Sequence, residues 1–96
     1  MPLSPTDNFH SHSSQPSIFV LEDDAEVARL ICMSLGDYGF RCAHLSTGRQ
    51  LLARARQSAP DLCIVDLGLP DMDGMQVVRE LQDGSPCAVL ILTGRN

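Results

Sequence analysis

Leu62-Cys63-Ile64-Val65-Asp66-Leu67-Gly68-Leu69-Pro70-Asp71-Met72-Asp73-Gly74 joins an apolar run to a turn through a single carboxylate. Four apolar residues with β-branched members, entered from Pro60 and Asp61, read as a strand buried on both faces in the middle of a parallel sheet. Gly68, Pro70 and Asp71-Met72-Asp73-Gly74 supply turn chemistry and then a helix start. Asp66 is therefore expected at the carboxyl end of a central strand, where open α/β sheets place their ligands.

A second apolar run, Ile18-Phe19-Val20-Leu21, ends on Glu22-Asp23-Asp24. If the two strands lie parallel and adjacent, at least three carboxylates converge at one sheet edge. Crowded carboxylates repel, and a hard cation relieves them. Mg²⁺ is the natural candidate, because it takes oxygen ligands and keeps waters that a phosphate can replace.

Composition agrees with a cation site. The net charge is -5, and eight of the 12 acidic residues fall within 22–26 or 61–73. The seven basic residues are all arginine and form no run, so direct nucleic-acid binding by this segment is not expected. Ninety-six residues at 44% apolar content bound the chain to one small domain. Cys32, Cys42, Cys63 and Cys87 each sit in an apolar segment without a Cys-x-x-Cys pair, and are expected as small buried hydrophobes in a reducing compartment. There is no apolar run long enough to span a membrane and no secretory signal pattern, so the expected location is cytoplasmic.

Residues 1–16 are rich in Ser and Pro and read as a disordered leader; His10 and His12 there lack further ligands for a metal. A strand is predicted over Ser17–Leu21, then a helix capped by Asp24 with Val27, Leu30, Ile31, Met33 and Leu35 at near-helical spacing, ended by Gly39. Phe40–Leu45 reads as a strand, with His44 a strand residue whose ring is satisfied. Ser46 or Thr47 caps a second helix carrying Leu51, Leu52 and Ala55. A third helix over Met75–Gln82 buries Val77, Val78 and Leu81, and Cys87–Leu92 is a further apolar strand ending on Thr93-Gly94. Strict alternation of four strands and three helices predicts a parallel sheet with helices on both faces.

Other chemistries fit less well. Asp71-Met72-Asp73-Gly74 with Glu80 imitates part of a calcium-binding EF-hand loop, but Leu69 would occupy the first ligand position and a strand leads in. There is no glycine-rich phosphate loop. A phosphohydrolase would need a general acid near Asp66, and the nearest candidates, Asp71 and Asp73, follow Pro70 in a separate turn. What remains is an acidic pair, a lone Asp and a Thr, each at the carboxyl end of a separate apolar strand.

Phe19-Val20-Leu21-Glu22-Asp23-Asp24, Ile64-Val65-Asp66-Leu67-Gly68-Leu69-Pro70-Asp71-Met72-Asp73-Gly74 and Ile91-Leu92-Thr93-Gly94 resemble the receiver domain of bacterial two-component response regulators, in the family's order over residues 17–96. The resemblance implies a flavodoxin-like (CheY-like) sheet in the order 2-1-3-4-5. It implies that Asp66 accepts a phosphoryl group from a sensor histidine kinase. Glu22, Asp23, Asp66 and the backbone carbonyl of Gly68 would hold Mg²⁺, and Thr93 with Gly94 would bind the phosphoryl group and switch. Gly68 and Arg95 would occupy the variable positions that tune its lifetime. It further implies a switch and not an enzyme, a possible homodimer, and, from Thr93-Gly94-Arg95, transcriptional output through a winged-helix domain. The chain through Asn96 has no lysine, whereas the family carries one on a fifth strand; the expectation is a receiver without its final strand and last two helices, with an exposed fourth-strand edge. The alternative is an interaction or dimerisation module of receiver-like fold that works without phosphorylation.

Overall fold

The computed structural model describes residues 15–69, 71–84 and 87–92. In chain order these form β1 (Ser17–Leu21), α1 (Ala25–Asp37), β2 (Arg41–Leu45), α2 (Gly48–Gln57), β3 (Leu62–Asp66), α3 (Gly74–Gly84) and β4 (Ala88–Leu92). The predicted leader falls outside these residues up to position 14, as do Thr93, Gly94 and Arg95.

All four strands are parallel, in the order β2-β1-β3-β4. Parallel neighbours cannot be joined by a tight turn, so each connection runs through a helix, and alternate residues of one strand serve opposite layers. Phe19, Leu21, Cys63 and Val65 face α2 and α3, where Leu51, Leu52, Ala55, Val77, Val78 and Leu81 complete the larger core. Ile18, Val20 and Ile64 point to the other face, against Ile31, Cys32 and Leu35 of α1. The sheet is thus a middle layer with one helix on one side and two on the other.

Side-chain caps set the helix starts. Asp24 accepts hydrogen bonds from Glu26 N and Val27 N at the head of α1, Thr47 accepts from Gln50 N at α2, and Asp73 accepts from Met75 N at α3. Gly39, at φ 91°, turns the chain out of α1, a backbone conformation that side chains disfavour.

Two expectations are corrected. Of the apolar positions proposed for α1, Val27, Leu30 and Met33 are exposed, and Ala28 is the fully buried residue of that helix. A single layer of strand residues covers only a narrow stripe of α1, so helical spacing overstated its buried face. Cys32 and Cys42 are not separate buried thiols: a disulfide joins α1 to β2 through them, because the α1–β2 turn brings their Cα atoms to 5.4 Å. Cys63 does fit the expectation, buried in the larger core with its sulfur 3.9 Å from that of Cys87. The expected exposed edge at the fourth strand is present: β4 is the end strand of the described sheet, and its Leu90 is 51% exposed.

Candidate functional site

The site is built at the carboxyl ends of β1 and β3. Leu21 pairs with Val65 in the register, so the chain emerges from the two strands at the same level, into Glu22 and Asp66. Each of Glu22, Asp23 and Asp66 offers a carboxylate oxygen, all within 4.8 Å of one another. Glu22 and Asp66 are buried and Asp23 is exposed, so the cluster has dry walls and one open side.

Local hydrogen bonds hold this arrangement. Asp66 Oδ1 accepts from Gly68 N at 3.1 Å, folding the turn after β3 back toward the carboxylates. Glu22 Oε2 accepts from Asp24 N at 3.0 Å, which ties its side chain to the start of α1. The Glu22 backbone is fastened to β2: its N–H donates to Leu45 O at 3.2 Å, and His44 donates Nε2–H to its carbonyl at 2.7 Å. His44 has its ring partner, as expected of a strand histidine, but that partner belongs to the acidic loop.

Burial pushes the Glu22 carboxyl above its ordinary value; the charges of Asp66 and Asp23 push the same way, and the Asp24 N–H opposes them. A cation placed among the three would reverse the Coulomb part of that shift. Three carboxylates with an open side match the ligand preference of Mg²⁺, oxygen donors plus room for water, and none of them is a soft ligand that would favour zinc or copper.

Asp71, weighed above as a metal ligand or a general acid, serves neither end. Its two carboxylate oxygens accept from Gly48 N at 2.9 Å and Arg49 N at 3.2 Å, the first amides of α2, which holds the turn after β3 against that helix. Those two bonds keep its carboxyl below the usual range. No sequence signal marks it, because its partners lie more than twenty residues away. A cleft of about 320 Å³ between α2 and α3, lined by Leu52, Ala55, Glu80 and Leu81 among others, touches none of the three carboxylates. The acidic site is a surface notch, suited to a small anion and a cation. Thr93, Gly94 and Arg95 lie outside the described residues; β4 reaches Leu92, the register partner of Asp66.

Residues 18–96 match the response regulator receiver domain family. The chain is 33% identical over 81 residues to the transcriptional regulatory protein AfsQ1 of Streptomyces coelicolor, covering 84% of this chain and 36% of that protein. It is 37% identical over 78 residues to the DNA-binding response regulator MtrA of Mycolicibacterium paratuberculosis, covering 81% of this chain and 35% of that protein. The BeF3-activated N-terminal receiver domain of Klebsiella pneumoniae RstA superposes with a TM-score of 0.77 at 30% identity, over 83% of this chain and 68% of that one. The chain belongs to the receiver domains of two-component response regulators. It spans about a third of the length of the two relatives. Among the described residues, no helix is long and apolar enough to cross a membrane.

Proposed function

We propose that Asp66 is the phosphoacceptor of this receiver, taking a phosphoryl group from a phosphohistidine of a sensor histidine kinase. The observation that carries this reading is the convergence of Glu22, Asp23 and Asp66 within 4.8 Å at the ends of β1 and β3. An oxygen of Asp66 attacks phosphorus in line; the P–N bond breaks, and its electron pair stays on the imidazole nitrogen, which takes a proton. Glu22, Asp23, Asp66 and the Gly68 carbonyl would hold Mg²⁺. When bound, the cation supplies positive charge to offset that on the phosphoryl oxygens.

The chain's own contribution is positional. Burial of Asp66 beside Glu22 keeps competing water away from one side, and the Gly68 N–H holds the carboxylate in a single orientation. The BeF3-activated form of the RstA receiver supports a site of this shape taking a small anion. Thr93 and Gly94 would bind the phosphoryl group and relay its presence, with Gly68 and Arg95 setting its lifetime. The chain then acts as a switch and not as an enzyme, in the cytoplasm alongside its kinase. Its output is transcriptional, a role supported by relatives named as transcriptional and DNA-binding regulators.

Intact mass after incubation with acetyl phosphate tests the reading. A Mg²⁺-dependent gain of one phosphoryl group in the parent, absent in Asp66→Asn, is the expected result; an equal gain in the variant overturns it. The second reading, an interaction module, draws on the exposed apolar edge at Leu90 and on Val27, Leu30 and Met33 of α1. It requires self-association that Asp66→Asn leaves intact, which sedimentation would reveal.

A further inference from the structure

The disulfide joins the two elements that hold the acidic loop. α1 holds that loop from one side, since Asp24 caps the helix directly after Glu22 and Asp23. β2 holds it from the other, through Leu45 O and His44. Cys32 lies on α1 and Cys42 on β2, two residues before His44.

α1 is also the helix that leans most on a covalent tie. Ala28 is its one fully buried residue, whereas α2 buries Gly48, Leu51, Leu52 and Ala55, and α3 buries Gly74, Val77, Val78 and Leu81. Ile31, Cys32 and Leu35 pack on the sheet but are only partly buried, so α1 is held by fewer fully buried side chains than α2 or α3 and opens from the sheet at lower cost unless something else prevents it. Cys32 and Cys42 are half-buried, within reach of a small thiol.

We propose that Cys32 and Cys42 form a reversible thiol oxidation site whose state sets how firmly α1, and with it the Glu22–Asp23 loop, is held on the sheet. The exchange partner is a low-molecular-weight thiol. Its thiolate attacks one sulfur of the Cys32–Cys42 bond, giving a mixed disulfide and releasing the other cysteine as a thiolate that takes a proton. A second thiolate attacks the mixed disulfide, so two electrons pass to the protein pair and a small disulfide leaves; oxidation is the reverse. Cys63 is unsuited to this chemistry. Burial pushes the Cys63 thiol up to about 12, and a protonated thiol is not a nucleophile. The proposal rests on the receiver reading for its setting alone, a reducing compartment in which protein disulfides are mostly transient and redox-sensing.

The test uses the full chain in buffers of graded reduced-to-oxidised glutathione ratio, quenched with N-ethylmaleimide and cut with trypsin. Arg29, Arg41, Arg49, Arg56, Arg79 and Arg95 place the four cysteines on separate peptides, 30–41, 42–49, 57–79 and 80–95. The expected result is linkage of 30–41 to 42–49 in a fraction that follows the glutathione ratio, with the other two peptides alkylated throughout. Hydrogen exchange should then show α1 amides opening on the order of tenfold faster in the reduced chain, with α3 unchanged. Cys32→Ser and Cys42→Ser should each give the reduced pattern in every buffer. Absence of the 30–41 to 42–49 link at all ratios, linkage of other peptides, or equal α1 exchange in both states overturns the proposal. A missing phosphoryl adduct would count against the receiver chemistry alone and leave these readouts standing.

Discussion

Leu21 and Val65 are register partners across the β1–β3 pair, and so the residues after them, Glu22 and Asp66, stand side by side at the sheet edge. These two are buried to 4% and 5% exposure, with Asp23 beside them. Buried like charges oppose folding unless something neutralises them. The site's electrostatics therefore work against the fold until a cation or a neutral substitution relieves them.

Asp66→Asn should stabilise the cation-free chain. It removes one of three converging charges while an amide oxygen can still accept from Gly68 N. A gain of about 1–2 kcal/mol is expected from the repulsion of two carboxylates within 4.8 Å, at a dielectric close to that of water because the cluster is open on the Asp23 side. That corresponds to several degrees in melting temperature, roughly 4–8 °C per kcal/mol for a domain of this size. Circular dichroism melts in a chelator measure it, and a lower midpoint in the variant would show that Asp66 contributes more as an acceptor than it costs as a charge.

Mg²⁺ should raise the melting temperature of the parent in proportion to the logarithm of its concentration above the dissociation constant. At a hundredfold excess over that constant the gain is about 2.7 kcal/mol. Asp23→Asn should flatten the response, since it leaves two of the three carboxylates. An unchanged response would place the cation elsewhere.

The pH dependence follows from the direction of the Glu22 shift. Its carboxyl in the folded chain lies above the ordinary 4.5, so the folded state holds this proton more readily than the unfolded one. The resulting stabilisation is present in full below the ordinary value and is lost as pH rises through the folded value. Without divalent cation, Glu22→Gln should be more stable than the parent at neutral pH, and the gap should close on acidification. Urea melts over a pH series read this directly.

Asp71 should behave in the opposite sense. Its carboxyl is lowered by the Gly48 and Arg49 amides, so its contribution is present above the ordinary 3.8 and is lost as pH falls through the folded value. Asp71→Ala should lower the melting temperature at neutral pH and remove that part of the acid slope. Phosphoryl acceptance should survive in this variant, because Asp71 is engaged with α2.

Two glycines should respond with opposite signs. A Cβ at Gly74 would lie 2.8 Å from both Leu67 Cα and Leu67 Cδ2, and the backbone atom cannot step aside. Gly74→Ala should cost about 1–3 kcal/mol, the usual penalty for forced overpacking. At Gly36, inside α1, an added Cβ would meet nothing within 4 Å, so Gly36→Ala should stabilise by roughly 0.5–1 kcal/mol through helix propensity. Chemical denaturation of both variants checks the contrast.

Much of the fold was legible because its signals are local. Apolar runs ending on Glu22 and Asp66, capping residues at Asp24 and Thr47, and the buried stripe Val77-Val78-Leu81 depend on neighbours a few residues away, and strand–helix alternation admits few parallel topologies. α1 was the weak point: its apolar positions repeat at helical spacing, yet which of them meet the sheet depends on how the helix lies across β1 and β2.

By itself, the sequence determined that β1 and β3 are parallel-sheet strands ending on acids, that three helices connect the strands, and that Asp66 is the strand-end carboxylate of a receiver. Only the tertiary structure decided that Cys32 is bonded to Cys42, that His44 holds the Glu22 carbonyl, and that Asp71 is committed to the first amides of α2. The reason is physical: periodicity and capping act over a few residues, whereas these three contacts span 10, 22 and 23 positions and exist only once the register of the sheet brings their partners together.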